Sequence, residues 1–206
     1  MIPTLSEAAD LIARWDFVAA RALLEDLVEL LPAEDLPGLT ARQMLAEVLR
    51  EMGAGTEAFR LASEVADESR VTYGADHPTT VRAAAVLGTL LHERGALVEA
   101  ERQYLLALHS GAQMDGPAGR ALLLARANLA LLRRDQGAPD VARRELADTY
   151  EAHRRTFGPG DPDTLRLGLE LGRLYAGRGE TGRALDMLAD TYATAYAALG
   201  AGHPLT

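Results

Sequence analysis

Arginines are the most numerous side chains in this sequence that could bind or react with a ligand. All 21 basic residues are arginine, because the sequence contains no lysine, and it contains no cysteine either. Without lysine there is no P-loop phosphate ligand and no Schiff base, and without cysteine there is no thiol nucleophile, disulfide or zinc–thiolate site. The forked donors of arginine pair well with carboxylates and phosphates, so anion recognition is the chemistry to look for.

The histidines and serines do not have the spacing of catalytic or metal-binding motifs. His92, His109 and His153 form no His-Glu-x-x-His pattern, and no serine lies in a Gly-x-Ser-x-Gly elbow. His77 and His203 each precede a proline in a recurring segment, so we expect both to serve in a turn. We therefore predict no catalytic residue, no metal site, no cofactor and no enzymatic activity.

The charge distribution bears on the class of partner. The formal net charge of −9 argues against binding to nucleic acid, whose affinity depends on many cationic contacts to phosphate. Residues 1–76 hold 15 acidic residues and six arginines, whereas residues 77–206 hold 15 of each, so the excess predicts a solvated acidic surface in the first third. Neither a secretory leader nor an apolar run of the ~18 residues that span a membrane is present, so we expect a cytoplasmic protein without a membrane partner.

The elements that position these side chains follow from an internal repeat of 42 residues. The segment at 73–80 (Tyr-Gly-Ala-Asp-His-Pro-Thr-Thr) returns at 157–164 and again at 199–206. A second set of glycines recurs at intervals of 42 without a gap, and each is followed five residues later by an alanine. These glycines are Gly53, Gly95, Gly137 and Gly179. Two markers in one register indicate a repeat architecture.

Each repeat unit is predicted to be a pair of helices. Apolar residues recur at intervals of three and four between the two glycine sets, which is typical of an amphipathic helix. Pro78 and Pro162 suit the first turn of the leading helix, and Asp76 and Asp161 are placed to cap it. The inner glycines are expected to end the leading helix, and small residues seven positions before them should let the paired helices cross closely. Those small residues are Ala46, Gly88, Ala130 and Gly172.

The register predicts an all-α fold of five antiparallel helix pairs in one domain over 1–206. The pairs are expected at about 4–31, 38–71, 79–111, 118–156 and 163–199, and residues 200–206 open a further unit. In the first pair Trp15 stands where the later units have the inner glycine. No run of β-branched and aromatic residues at period two predicts a strand.

These motifs resemble the tetratricopeptide repeat, in the 42-residue form of kinesin light chains and bacterial regulatory proteins. The segment at 73–80, followed by Leu87-Gly88, Gly95 and Glu99-Ala100-Glu101, carries the clearest match. The resemblance implies a right-handed α-solenoid whose concave groove is lined by the leading helices. It also implies that the protein binds peptides or proteins and carries out no reaction of its own.

Candidate ligand-binding residues project from successive leading helices on the side turned away from the packing stripe. The set we predict is Arg82, Thr89, His92, Asn128, Arg134, Arg166 and Arg173. The arginines favour a partner that is acidic or ends in a free carboxylate. The resemblance implies that Asn128, in Ala127-Asn128-Leu129-Ala130, holds a peptide backbone through its amide.

Three functional hypotheses follow. The first is a non-catalytic scaffold or sensor module of a bacterial regulatory system that binds a peptide or protein in the groove. The alternative is a helical small-ligand receptor or enzyme with an anion-binding pocket inside the superhelix. The third, compatible with the first, is self-association or docking through the C-terminal helix pair, where Leu185, Leu188 and Tyr192 should lie partly bare.

Overall fold

The computed structural model describes residues 4–111 and 116–206, and within these ranges the chain forms ten α-helices and no strand. The helices are α1 (Leu5–Ala13), α2 (Phe17–Leu30), α3 (Leu36–Glu51), α4 (Gly55–Tyr73), α5 (Pro78–Glu93), α6 (Leu97–Ser110), α7 (Gly116–Asp135), α8 (Pro139–Phe157), α9 (Pro162–Gly177) and α10 (Thr181–Leu199). Odd-numbered helices are the leading and even-numbered helices the trailing members of successive pairs. The all-α fold predicted from the register is confirmed, and the helix ends lie within two residues of the predicted pair limits.

The turn inside each pair is built on the inner glycines. Their φ angles are 79° at Gly53, 77° at Gly95, 87° at Gly137 and 75° at Gly179, a left-handed conformation that only glycine adopts cheaply. The residue after each glycine donates its N–H to the carbonyl five residues earlier, at 2.8 Å from Ala54 to Leu49, for example. This hydrogen bond closes the helix end and reverses the chain, as predicted.

The first pair makes the same turn without glycine. Trp15 has φ 60°, and the N–H of Asp16 donates to the carbonyl of Leu11 at 3.0 Å, the same pattern as in the later units. The indole lies 5.5 Å from the ring of Phe17 between centroids. Trp15 therefore occupies the glycine position in a conformation that costs a side-chain-bearing residue about 1 kcal/mol or more.

The turns between units begin with a cap and a proline. Pro78 and Pro162 are the first residues of α5 and α9, as predicted. Asp161 accepts the N–H groups of Asp163 at 3.1 Å and Thr164 at 3.3 Å. The expectation that Asp76 caps α5 is wrong, because His77 is the N-cap residue there.

Histidine replaces aspartate in this cap through its ring nitrogen. The Nδ1 atom of His77 accepts the N–H of Thr79 at 3.3 Å, and the ring stacks on Tyr73 with centroids 4.7 Å apart. The Nδ1 atom of His203 accepts the N–H of Leu205 at 3.2 Å in the same way. The predicted role of both histidines in a turn is thus confirmed.

Small residues at the predicted positions bring the paired helices together. A Cβ atom at Gly88 would lie 2.7 Å from Cε1 of the buried Tyr104, and one at Gly172 would lie 2.6 Å from Cδ2 of Leu188. The counterparts Ala46 and Ala130 are fully buried. These contacts leave no room for a larger side chain where the helices cross.

The described chain forms two compact units, Met1–Leu122 and Leu123–Thr206. In the first unit, one apolar cluster contains residues of all five helices from α1 through α5, among them Leu24, Leu49, Leu61 and Leu90. In the second unit, a cluster of Ala130, Leu146, Leu171 and neighbouring residues joins α7, α8 and α9. The expectation of one domain over 1–206 stays a prediction.

A separate observation concerns membranes. Of the helices that the structure describes, none combines the length and the apolar character that a membrane span needs.

Candidate functional site

The second unit contains an arginine-lined depression of 420 Å³. It is lined by Arg134, Pro139, Arg173, Leu174, Gly177 and Arg178. Two of the predicted residues, Arg134 and Arg173, thus lie at one site, and the structure adds Arg178 to them. We call this site the arginine depression.

Helix ends position the three guanidinium groups. Arg134 lies in the last turn of α7, Arg173 lies one turn before the end of α9, and Arg178 is the C-cap residue of α9. The chain can place Arg178 there because Gly179 follows in the left-handed conformation and ends the helix. Leading-helix ends therefore converge on this site.

Carboxylates hold the arginines in place. Nε of Arg134 donates to Asp135 at 2.8 Å, and its Nη1 lies 3.7 Å from Glu170 on α9. Arg173 also donates to Glu170. Because one carboxylate lies beside guanidinium groups from two helices, α7 and α9 are joined at the edge of the depression.

The third arginine is held by the trailing helices. Nη1 of Arg178 lies 2.6 Å from Asp140 at the start of α8, and its Nε donates to Glu180 at 3.2 Å. Desolvation raises the pKa of Glu180, but hydrogen bonds from Arg183 and Arg178 outweigh it and hold that pKa below its ordinary value. The Glu180 carboxylate therefore pairs with Arg178 as an anion.

The arginines differ in how much of them a ligand could reach. The side chain of Arg173 is 69% exposed, whereas those of Arg134 and Arg178 are 37% and 34% exposed. Arg173 is thus the group that an incoming carboxylate would meet first. The two half-buried guanidinium groups lie in a less solvated position, where an ion pair is worth more than at an open surface.

The other predicted residues of the second unit lie elsewhere on the same helices. Asn128 on α7 and Arg166 on α9 are half-buried and are not among the residues that line the arginine depression. Sequence reasoning missed Arg178 because it took candidates only from one side of the leading helices, and Arg178 lies in the turn at the end of α9. The repeated Arg-Gly pair at 94–95 and 178–179 was a signal that could have found it.

The predicted residues of the first unit lie on α5. Arg82 and His92 are half-buried. Thr89 donates to the carbonyl of Ala85 at 3.1 Å and accepts the hydroxyl of the buried Tyr104 at 3.4 Å, so its hydroxyl is engaged in packing α5 against α6. A groove shared by all seven predicted residues stays a prediction.

A cluster of possible metal ligands surrounds His153, where sequence reasoning expected none. Ligand atoms of His153, Asp161 and Asp163 lie within 4.8 Å of one another. Nδ1 of His153 is 2.8 Å from the hydroxyl of Thr164, and Asp161 caps α9. These contacts give the cluster a role in starting α9.

Comparison with family models finds the tetratricopeptide repeat, matching residues 39–108 and 120–197. A search of curated proteins finds no significant relative.

Several solved structures share the fold. A Podosopora anserina structure of nearly identical TPR-like repeats, described in terms of kinesin light chain, has a TM-score of 0.61 and 21% identity, with 94% of each chain covered. A Rap protein complexed with competence and sporulation factor has a TM-score of 0.78 and 14% identity over 92% of this chain and 52% of that chain. The Rap conjugation gene regulator of plasmid pLS20, in complex with the Phr* peptide, has a TM-score of 0.75 and 14% identity over the same shares. The present chain thus spans about half the length of the Rap proteins.

Proposed function

Because the chain belongs to the tetratricopeptide repeat family, we propose that it is a non-catalytic scaffold or sensor module that binds a peptide or protein segment. The observation that carries the proposal is the convergence of Arg134, Arg173 and Arg178 on one depression. We further propose that the module serves a bacterial regulatory system in the cytoplasm. The Rap structures support a peptide ligand, since one of them holds the Phr* peptide on the same fold.

The ligand we propose is an acidic segment or a chain end with a free carboxylate. A carboxylate can accept two parallel N–H groups from one guanidinium, and Arg173 offers that fork to solvent. The apolar lining from Pro139 and Leu174 suits a side chain next to the carboxylate. Glu170 is the internal competitor, because it already pairs with Arg173 and must be displaced or shared.

The composition of the depression favours a binding module over the alternative of an enzyme. Its volume of 420 Å³ could hold a small anion. Among the described residues that line it, however, none has a side chain that serves as a nucleophile or as a general base near neutral pH. The arginines can hold and orient a ligand, which is what a scaffold requires.

The experiment is capture from the native host with the full chain as bait, followed by mass spectrometry and titration of the captured partner. We expect the double variant Arg134→Ala, Arg173→Ala to weaken binding at least about tenfold, or 1.4 kcal/mol, and to reduce its salt dependence. Arg154→Ala is the matched control on α8, since Arg154 is 48% exposed and pairs with Glu151 on the same helix. Arg21→Ala in α2 is a second control. Affinity unchanged within a factor of about two in the double variant would exclude this site.

A further inference from the structure

The outward face of the last helix carries exposed apolar side chains. On α10, Leu185, Tyr192 and Tyr196 are 62%, 54% and 53% exposed, and the two tyrosine rings lie 6.4 Å apart between centroids. Leu188 is half-buried because it packs under Gly172. The predicted exposure of Leu185 and Tyr192 is thus confirmed, and with Tyr196 these side chains line one side of a helix as an apolar strip.

The 42-residue register shows what covers Tyr192 in an earlier unit. Its counterpart is Tyr150 on α8, which is only 7% exposed. Gly168 of α9 crosses over Tyr150 so closely that a Cβ atom there would lie 3.4 Å from the ring. The covering group therefore belongs to the next leading helix, and it is small at the crossing.

The same comparison holds for Leu185. Its counterpart on α4 is Phe59, and the guanidinium of Arg94 lies 4.6 Å from the centre of the Phe59 ring. Arg94 is the C-cap residue of α5, the leading helix that follows. The position of Tyr192 is thus covered by the next leading helix in one earlier repeat, and the position of Leu185 in another.

A depression between α9 and α10 lies beside this strip. It measures 340 Å³ and is lined by Tyr175 of α9 and by Arg183, Asp186, Met187 and Asp190 of α10. The counterparts of Tyr175 and Met187 are Leu49 and Leu61, which are 1% and 7% exposed. Both belong to the cluster that contains Leu90 of α5, with Val86 packed against it. In the first compact unit, therefore, the place that corresponds to this depression is filled by Val86 and Leu90, an aliphatic pair four residues apart on α5.

The charges at the depression indicate which kind of helix could bind there. Asp186 and Asp190 lie at its edge, and Arg183 donates to Glu180 at 2.9 Å, so the local charge is negative. The leading helix that a second copy could offer head to tail is α1, which carries Glu7 and Asp10 and no basic residue. That pairing would bring acidic side chains together, whereas a helix with basic residues is attracted.

We propose that the face formed by Leu185, Tyr192 and the Tyr175–Met187 depression is a second interaction surface, which binds an amphipathic helix of a partner protein. The bound helix carries two aliphatic residues four positions apart, a glycine or alanine where it crosses Tyr192, and basic residues that face Asp186 and Asp190. This surface is separate from the arginine depression, so the two can be tested independently.

A peptide with the sequence of residues 77–95 is a suitable probe, since it is a leading helix of the required type. It contains Val86 and Leu90 as the aliphatic pair, Ala84 at the crossing position and a net charge of +1 with neutral histidines. Titration of the fluorescently labelled peptide with the full chain, followed by anisotropy, should show saturable binding. We expect Leu185→Asp and Tyr192→Asp each to weaken it at least about tenfold.

The controls distinguish specific binding at this surface from nonspecific hydrophobic binding and from misfolding of the variants. Val98→Asp on α6 introduces the same charge at a valine that is 76% exposed, and it should bind the peptide as the wild type does. A peptide with Val86→Asp and Leu90→Asp should not bind. The substituted positions on α10 are exposed, so far-UV circular dichroism should match the wild type.

Three results would overturn the proposal. One is the absence of saturable binding up to about 1 mM. Another is binding that persists unchanged in both α10 variants. The third is a wild-type dimer in light scattering that Tyr192→Asp converts to a monomer, because the face would then be occupied by a second copy of this chain.

Discussion

The close contact between α5 and α6 depends on the missing side chain at position 88. Tyr104 on α6 is fully buried, and its ring fills the space that a Cβ at Gly88 would need, at 2.7 Å from Cε1 and 2.8 Å from Cδ1. Its hydroxyl is also tied to Thr89 at 3.4 Å. The ring therefore has little freedom to move aside, and the position tolerates no added methyl group without a shift of α5 or α6.

We expect Gly88→Ala to lower the free energy of unfolding by about 1–3 kcal/mol through overpacking, although alanine is the better helix former. Gly182→Ala on α10 is the matched control, because no atom lies within 4 Å of a Cβ there. That substitution should raise stability by up to about 1 kcal/mol. Urea denaturation followed by circular dichroism measures both, and equal effects at the two positions would contradict the packing argument.

Single residues differ in how far the sequence alone predicts them. The inner glycines and the small residues at helix crossings could be placed, because backbone conformation and close packing each demand one residue type at a fixed interval. The cap of α5 could not, since Asp76 and His77 both carry suitable acceptors and only the backbone geometry decides between them. The capping role falls to His77 at 3.3 Å from the N–H of Thr79.

At the scale of elements, the turn between α1 and α2 is the exception to the repeat. Trp15 adopts φ 60° where the other four turns have glycine, yet α1 ends two residues before it and α2 begins two residues after it, just as α3 and α4 do around Gly53. The first pair could still be predicted because the segment from Trp15 to Ala20 matches Gly95 to Ala100. The turn thus depends on the surrounding helices for stability that glycine would supply by itself.

Two substitutions at this turn separate backbone strain from side-chain packing. Trp15→Gly and Trp15→Ala both remove the indole and its contact with Phe17, but only glycine relieves the left-handed conformation. We expect the glycine variant to be more stable than the alanine variant by about 1 kcal/mol. Thermal denaturation of the two variants side by side measures the difference, and an alanine variant of equal or greater stability would show that the turn carries no strain.

The arginine depression depends on contacts between helices of different pairs, which a prediction of the helices alone does not give. Arg134 and Arg173 could be assigned to the same side of their helices from the register. Their meeting depends on Glu170, which pairs with both across α7 and α9, and on the turn that places Arg178 beside Asp140. Approach between helices of different pairs is set by side chains that the repeat does not constrain, so the location of the site had to come from the structure.

At the scale of the whole molecule, packing between helices is local along the chain. Where the structure describes two helices in contact, they are adjacent in the sequence or separated by one helix, as α3 is with α4 and with α5. Each of these helices is therefore stabilised by the helices next to it in the sequence. Repeat proteins organised in this way lose structure locally when one repeat is weakened.

This organisation predicts how a defect spreads. Gly172→Leu places a large side chain against Leu188, whose Cδ2 would lie 2.6 Å from the new Cβ, and should loosen α9 and α10. We expect native-state hydrogen exchange to accelerate most in these two helices, less in α8, and not measurably in α1 to α4, because exchange in each segment reports its local opening free energy. Gly177→Ala is the control within α9, since a Cβ there has no atom within 4 Å. If Gly172→Leu accelerated exchange equally in every helix, the chain would unfold as a single cooperative unit, and the stability of the arginine depression could not be separated from that of the first unit.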